Sequence, residues 1–319
     1  MAFRRKEDEY YTVDFVPSQE QNLGSNTMHH RSQQASGEIA LQIRLREKHL
    51  PSPLHVGSGD FELDEEGPYQ PFIRWEEGPG VPGTGIKGAI RAYAEALSPS
   101  CEAGQCKVPR KGPFDKGCLC CSIFGTLGYM GRITFTDALL QGTPRVGNLG
   151  VPARWGGQVR QGRRFYWHCD YEYWTNEVEG SRERLEVVFP PAAFQSICFF
   201  QNLTEEDLGL LVLAMGLAPG RSYYLKLGGA KNRGFGSVAF EVENWHVVNG
   251  PSAYHTFQLE STNAAFQDKA KKAVEKYLAS LTEKQRATVE SNLQAFQQAE
   301  LSLDRLRELH AARVERGRR

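Results

Sequence analysis

The sequence predicts an α+β fold of ferredoxin-like, RNA-recognition-motif-like type. Three observations predict it: four β-patterned runs, two helical runs between them, and their order of strand, helix, strand, strand, helix, strand. With 319 residues, 40% of them hydrophobic, the chain is long enough to bury a sizeable core. Its 38 Lys and Arg balance 38 Asp and Glu. A chain without net charge has no general attraction for polyanions, so nucleic-acid binding has to use local basic groups inside a larger assembly. No apolar run approaches a membrane span, and MAFRRKEDEYYTVDF has no apolar signal core, so a cytoplasmic protein without membrane partners is expected.

Residues 1–36 are polar and aperiodic, and read as an arm that is disordered or docked on a neighbour. The main domain is expected over 37–250. From Glu38, apolar Ile39, Leu41, Ile43 and Leu45 alternate with mostly polar residues, as in a half-buried strand. After a long loop, GTGIKGAIRAYAEAL places Ile86, Ile90, Tyr93 and Leu97 four, three and four residues apart, a helix entered from glycines. A cysteine-rich insertion covers 98–121. GRITFTDALL then alternates imperfectly as the second strand, with Asp137 capping a turn. Residues 141–184 lack a clean period and carry GGQVRQGRR and YWHCDYEYW, which suggests a protruding hairpin or loop. RLEVVFPPAAFQSICFFQNL holds two β-rich runs broken at Pro190 and Pro191. TEEDLGLLVLAMGL starts a second helix at the N-cap Thr204, and SVAFEVENWHV closes the domain as a strand. Residues 251–319 are rich in Ala, Glu, Lys, Leu and Arg, predicting two or three amphipathic helices that act as a packing element or a partner-binding tail.

Two glycine-rich stretches carry most of the binding chemistry. In VPGTGIKGAIR, Gly83, Gly85 and Gly88 let a ligand approach a helix N-terminus, where free N–H groups and the dipole favour phosphate. Lys87 and Arg91 lie one turn apart on one helical face, suited to adjacent phosphates. Gly88 after Lys87 breaks the GxxxxGK[ST] pattern, which excludes a nucleotide-triphosphate loop. In LGGAKNRGFG, flexible around Gly229, Lys231 and Arg233 suit phosphates, Asn232 polar contacts, and Phe235 stacking on a base. Either stretch alone also reads as an ordinary turn with solvated charges.

Five of the seven cysteines fall within 21 residues. Cys101 and Cys106 enclose four residues, Cys118 and Cys121 enclose two, and eleven separate the pairs, the spacing of a structural zinc site with four thiolates. Cys120 competes with Cys121 as the fourth ligand.

PLHVGSGD, QPFIRW, VPGTGIKGAIR, SIFG, GRITFTDA, QNLTEEDLGLLVLAMGL and LGGAKNRGFGSVAF occur in an order that resembles the RAMP superfamily of CRISPR proteins. The chain is most similar to backbone subunits of type III effectors. The resemblance implies a subunit stacked with other RAMP subunits and a large polymerase-like subunit along a CRISPR RNA, presenting that guide to target RNA. It implies guide contacts from Lys87, Arg91 and the glycine loop, and from His55 and Ser58 in PLHVGSG. A thumb would come from 141–184, with Arg160, Arg163 and Arg164 as its phosphate contacts, although a solvated basic loop reads equally well. In target-cleaving relatives an aspartate precedes a small residue and a Pro-apolar-apolar run. Here GPYQPFI puts Tyr69 at that position, and a phenol does not replace a carboxylate in activating a 2′-hydroxyl.

The leading expectation is therefore a guide-RNA scaffold without its own cleavage residue. A nuclease subunit using a nearby loop acid, with Asp60 and Asp64 the first candidates and Glu65 and Glu66 beside them, is the alternative. His55 is a second candidate acid-base group, and His29 and His30 in the arm remain open. A zinc-dependent enzyme is a third reading.

Overall fold

The structure, a computed structural model, describes residues 10–18, 21–23, 34–101, 106–109, 114–152, 163–180, 182–249 and 263–317. In chain order, the elements that build the site are β1 (Tyr10–Val13), β2 (Ala35–Leu45), β3 (Gly78–Val81), helix α1 (Gly83–Ala96), the short helix α2 (Leu119–Phe124), β4 (Ile133–Phe135), β5 (Ala138–Leu140), β6 (Val146–Pro152), β7 (Arg163–Tyr166), β8 (Arg182–Val188), β9 (Ala193–Leu203), α3 (Glu205–Ala214), β10 (Leu225–Lys226), β11 (Ser237–Asn249), and the C-terminal helices α4 (Asn263–Ser280), α5 (Glu283–Gln297) and α6 (Leu303–Gly317).

The central sheet is antiparallel throughout, in the spatial order β10, β11, β2, β9, β5, β3, with β4 also paired to β9 and Arg74–Trp75 at the far edge. The alternation in β2 works as expected: Ile39, Leu41 and Ile43 are fully buried, and Leu45 nearly so. They share one face of the sheet, because a strand sends every second side chain to the same side. Helix α3 begins at a capping box in which Thr204 and Asp207 each bond the other's backbone N–H. From Leu208 on it is apolar on all sides because it is buried on all sides, with α4 covering the flank that the domain leaves. The two helices approach closely at Gly209, where a Cβ would stand 2.2 Å from the Ala273 carbonyl oxygen.

The C-terminal helices are a packing element of the domain. Tyr277 donates to the Leu97 carbonyl, and Asn292 donates to the carbonyls of Ala96 and Asp14. Phe296 packs on Tyr93 and Phe165. This ties α5 to the end of α1 and to the N-terminal segment.

Two expectations need correction. The segment 1–36 is not uniformly an arm: β1 pairs antiparallel with β7 and buries Tyr11 and Val13, because YYTV alternates in the way a half-buried strand does. Nor does 141–184 form one protruding loop. Its stem is the β6/β8 hairpin, but β7 folds back onto β1, and Trp167, Cys169, Tyr173 and Trp174 are buried in the body. The aromatic residues that blurred the period are core residues. Arg160, His29 and His30 lie outside the described residues. Among the described residues no helix is long and apolar enough to cross a membrane.

Candidate RNA-binding cleft and cysteine cluster

The two glycine stretches meet. A cleft of about 340 Å³ lies between α1 and the glycine loop, lined by Gly85, Gly88 and Ala92 on one side, Gly228 and Lys231 on another, and Arg164 of β7 on a third. The glycine loop is the connection of the β10/β11 hairpin, and its shape depends on backbone that only glycine adopts easily. Gly228 has φ +76° and Gly236 φ +72°, and a Cβ on Gly236 would lie 1.9 Å from the Leu227 carbonyl oxygen. The loop is anchored on the PLHVGSG segment: Gly229 N–H donates to His55 O, and Gly236 N–H to Pro53 O, each at 2.8 Å.

Gly85 and Gly88 differ from those glycines. Both have ordinary helical backbone, and a Cβ on either would meet nothing within 4 Å. Neither packing nor backbone conformation requires them, and what their missing side chains preserve is the width of the cleft.

The helix start does not present a free anion site. Gly83 N–H donates to Asp137 Oδ1 at 2.7 Å, so the carboxylate on the turn between β4 and β5 already occupies the positive end of α1. Lys87 and Arg91 share a helical face as their spacing requires, but both are engaged inside the protein. Lys87 Nζ donates to Ile133 O at 2.7 Å, and burial lowers its pKa. Arg91 donates through Nε to Glu95 at 2.8 Å, through Nη1 to Gly125 O, and through Nη2 to Cys121 Sγ at 3.6 Å. Arg163 closes the same group by pairing with the other oxygen of Glu95. Glu95, which sequence reasoning did not single out, thus joins helix α1 to β7. Its spacing of four residues from Arg91 was the available signal.

The remaining candidates divide by burial. Arg233 is only 5% exposed and Phe235 is fully buried, in a small core with Val151, Leu185, Val187 and Phe189. Phe235 therefore does not stack on a base: the β6/β8 hairpin folds over the loop and covers it. Asn232 lies half-buried beside Lys231 in the turn Lys231–Arg233. Arg164 stacks over the Tyr10 ring at 4.1 Å at the rim of the cleft. His55 is buried, with Nδ1 donating to Glu186 O at 2.7 Å, and burial lowers its pKa. Ser58 is exposed, and its hydroxyl accepts from Asp60 N–H at 3.2 Å.

The acidic loop forms a short hairpin, Glu62–Asp64 against Gly67–Tyr69. Asp64 is clamped by both Nη atoms of Arg184, at 2.5 and 2.8 Å, which with Asn148 and the Glu66 N–H holds its carboxyl down at about 2. A carboxylate that weakly basic is a poor proton acceptor near neutral pH. The Tyr69 hydroxyl donates to Glu62 at 2.5 Å, a bond that raises its pKa.

The sulfurs of Cys101, Cys106, Cys118 and Cys121 lie within 4.8 Å of one another. Cys101 and Cys121 are 3.5 Å apart, and Cys118 and Cys101 3.7 Å, close to the separation of about 3.8 Å that four thiolates 2.3 Å from a tetrahedral zinc ion would have. The set is compatible with a structural zinc ion. Cys120 is outside the quartet and buried, which resolves the competition for the fourth ligand. A hydrogen bond from Cys121 lowers the pKa of Cys118, whereas burial raises that of Cys106.

A model of the RAMP superfamily matches residues 49–239, more than half of the chain. The match spans α1, the cysteine quartet and the glycine loop. No curated protein matches the chain.

Proposed function

The chain belongs to the RAMP superfamily, and from that premise we propose that it is a guide-RNA-binding scaffold subunit of a type III CRISPR effector complex. Family membership supports a CRISPR-associated RNA-binding role with RNA and protein partners. The spatial order β11, β2, β9, β5, antiparallel throughout, supports a ferredoxin-like core for it. The single observation that carries the reading is the cleft: two glycines that nothing in the protein requires, Gly85 and Gly88, face a basic loop across an open space. A sugar-phosphate backbone is the kind of ligand that needs close approach to main chain with cations beside it.

The backbone contacts are assigned to Lys231 and Arg164, two of the cations that line the cleft, with Gly85, Gly88 and Gly228 forming its walls. Lys87, Arg91 and Arg163 act behind them, holding α1 to β4, to α2 and to β7. Cys101, Cys106, Cys118 and Cys121 hold a structural zinc ion, with Arg91 donating to one ligand sulfur so that its positive charge offsets the anionic cluster. The subunit is assigned no cleavage residue of its own, a reading supported by Tyr69 in the acidic loop and by the clamp of Arg184 on Asp64.

Charge-removing substitutions test this. Arg164→Gln and Lys231→Gln are each expected to weaken binding of single-stranded RNA of any sequence and to lower the slope of log affinity against log salt by about 0.7. Unchanged affinity and slope in both would overturn the assignment.

A further inference from the structure

One of the residues lining the cleft is a buried lysine with no carboxylate paired to it among the described residues. Lys226 is 4% exposed and lines the cleft, and its ammonium, which has three N–H donors, makes one hydrogen bond, to Phe235 O at 2.9 Å. Of the charged or titratable groups around it, Cys169 alone favours the ammonium, and only in its ionised form. Arg46 and Lys231 are cations, and Arg46 spends its charge on Glu300. Cys169 is a buried thiol. His168 is held between Ser237 Oγ and Tyr224 O, with burial, Lys226 and Arg46 pushing its pKa well down, so it is neutral. The Tyr93 phenol, pushed up by burial, accepts from the Lys226 backbone N–H and also stays neutral. From β7, Arg164 adds another cation at the rim. Buried lysines are rare unless paired, because desolvating an uncompensated charge is expensive. The open space that Lys226 lines is the cleft.

We infer that the cleft holds a proton-linked anion site, in which Lys226 takes its missing counter-charge from a phosphodiester of the bound RNA. The inference rests on the RNA-binding reading of the cleft. In the free protein, burial holds Lys226 down to about 7, so its charged and neutral forms coexist near neutral pH. An entering phosphodiester favours the ammonium and raises that value. The sign follows: the contribution of Lys226 to binding is complete below about pH 7, and is lost as pH rises from there toward the higher value of the complex. One titrating group changes affinity by at most about tenfold per pH unit in that window. Lys231, also lowered by burial, titrates in the same direction, so substitution has to separate the two.

The test uses the full-length, zinc-replete chain and a short oligouridylate. Calorimetry near pH 8 in two buffers of different ionisation enthalpy is expected to show proton uptake on binding, with affinity falling several-fold from about pH 7 to about pH 8. Lys226→Arg should keep the affinity and lose most of the pH dependence, and Lys226→Gln should lose both. Because either Lys226 variant can misfold, the decisive measurement is proton uptake in wild type and in Lys231→Gln, where uptake should persist however much binding weakens. No uptake and a flat profile, with RNA binding still abolished by Gly85→Leu, would overturn the inference and leave the cleft as the RNA site. Binding that survives Gly85→Leu would instead remove the RNA reading, and the inference with it. Equal uptake with inorganic phosphate alone would also overturn it, by assigning the site to free phosphate.

Discussion

Replacing Gly88 by alanine is expected to raise stability and lower RNA affinity at once. Gly88 sits inside α1, has helical backbone, and would place a new Cβ in open space. Alanine is favoured over glycine inside a helix by about 0.8–1.0 kcal/mol, because glycine loses more backbone freedom on folding. Nothing in the structure subtracts from that gain, which corresponds to about 2 °C in melting temperature for a chain of this length. At Gly85, in the first turn, the gain is smaller. The same methyl narrows the cleft, and leucine would fill a large part of it. Scanning calorimetry and fluorescence anisotropy with labelled RNA read the two effects separately. Gly88→Ala should melt higher than wild type, and Gly88→Leu should bind RNA at least tenfold more weakly, about 1.4 kcal/mol, while remaining folded. A Gly88→Ala variant that melts lower would mean that the glycine serves packing. Unimpaired RNA binding by Gly88→Leu would mean that the cleft is not the site.

Arg132 bonds Ser122, Asn202 O and Asp207 with almost no exposure, so Arg132→Met is expected to cost about 3–5 kcal/mol in urea unfolding, part of it recovered when Asp207 is replaced as well; a loss below about 1 kcal/mol would refute the buried network. Cys118→Ser should lower bound zinc and lower the melting temperature together, since the quartet joins α2 to the segment after α1 and Arg91 joins it to the helix; metal content and melting equal to wild type would count against the zinc site.

Much of the fold was legible because it rests on local periodicity. The alternation at Ile39, Leu41, Ile43 and Leu45, the helical spacing from Ile86 to Leu97, and the Thr204 cap are properties of a few consecutive residues, and each produced the expected element. The cysteine spacing anticipated the clustering of Cys101, Cys106, Cys118 and Cys121. What sequence could not decide was which partner each element meets. The alternation of Tyr10–Val13 suits a strand, but nothing local specifies that its partner is β7, some 150 residues later. Lys87 and Arg91 do share a helical face, yet whether that face meets solvent or protein depends on where Ile133, Gly125 and Cys121 arrive. Phe235 looked available for stacking until the β6/β8 hairpin covered it.

The contrast is sharpest in the cleft. Sequence by itself determined that two glycine-rich basic stretches exist, that four cysteines are spaced to bind one metal ion, and that an α+β core lies between them, because these are matters of residue type and short-range spacing. Tertiary structure alone decided that the two stretches face one another, that Asp137 rather than a ligand sits at the start of α1, and that Lys226, a lysine between two leucines, is buried with no carboxylate partner among the described residues. Burial is created jointly by segments distant in sequence, and burial is what separates a solvated cation from one that awaits an anion.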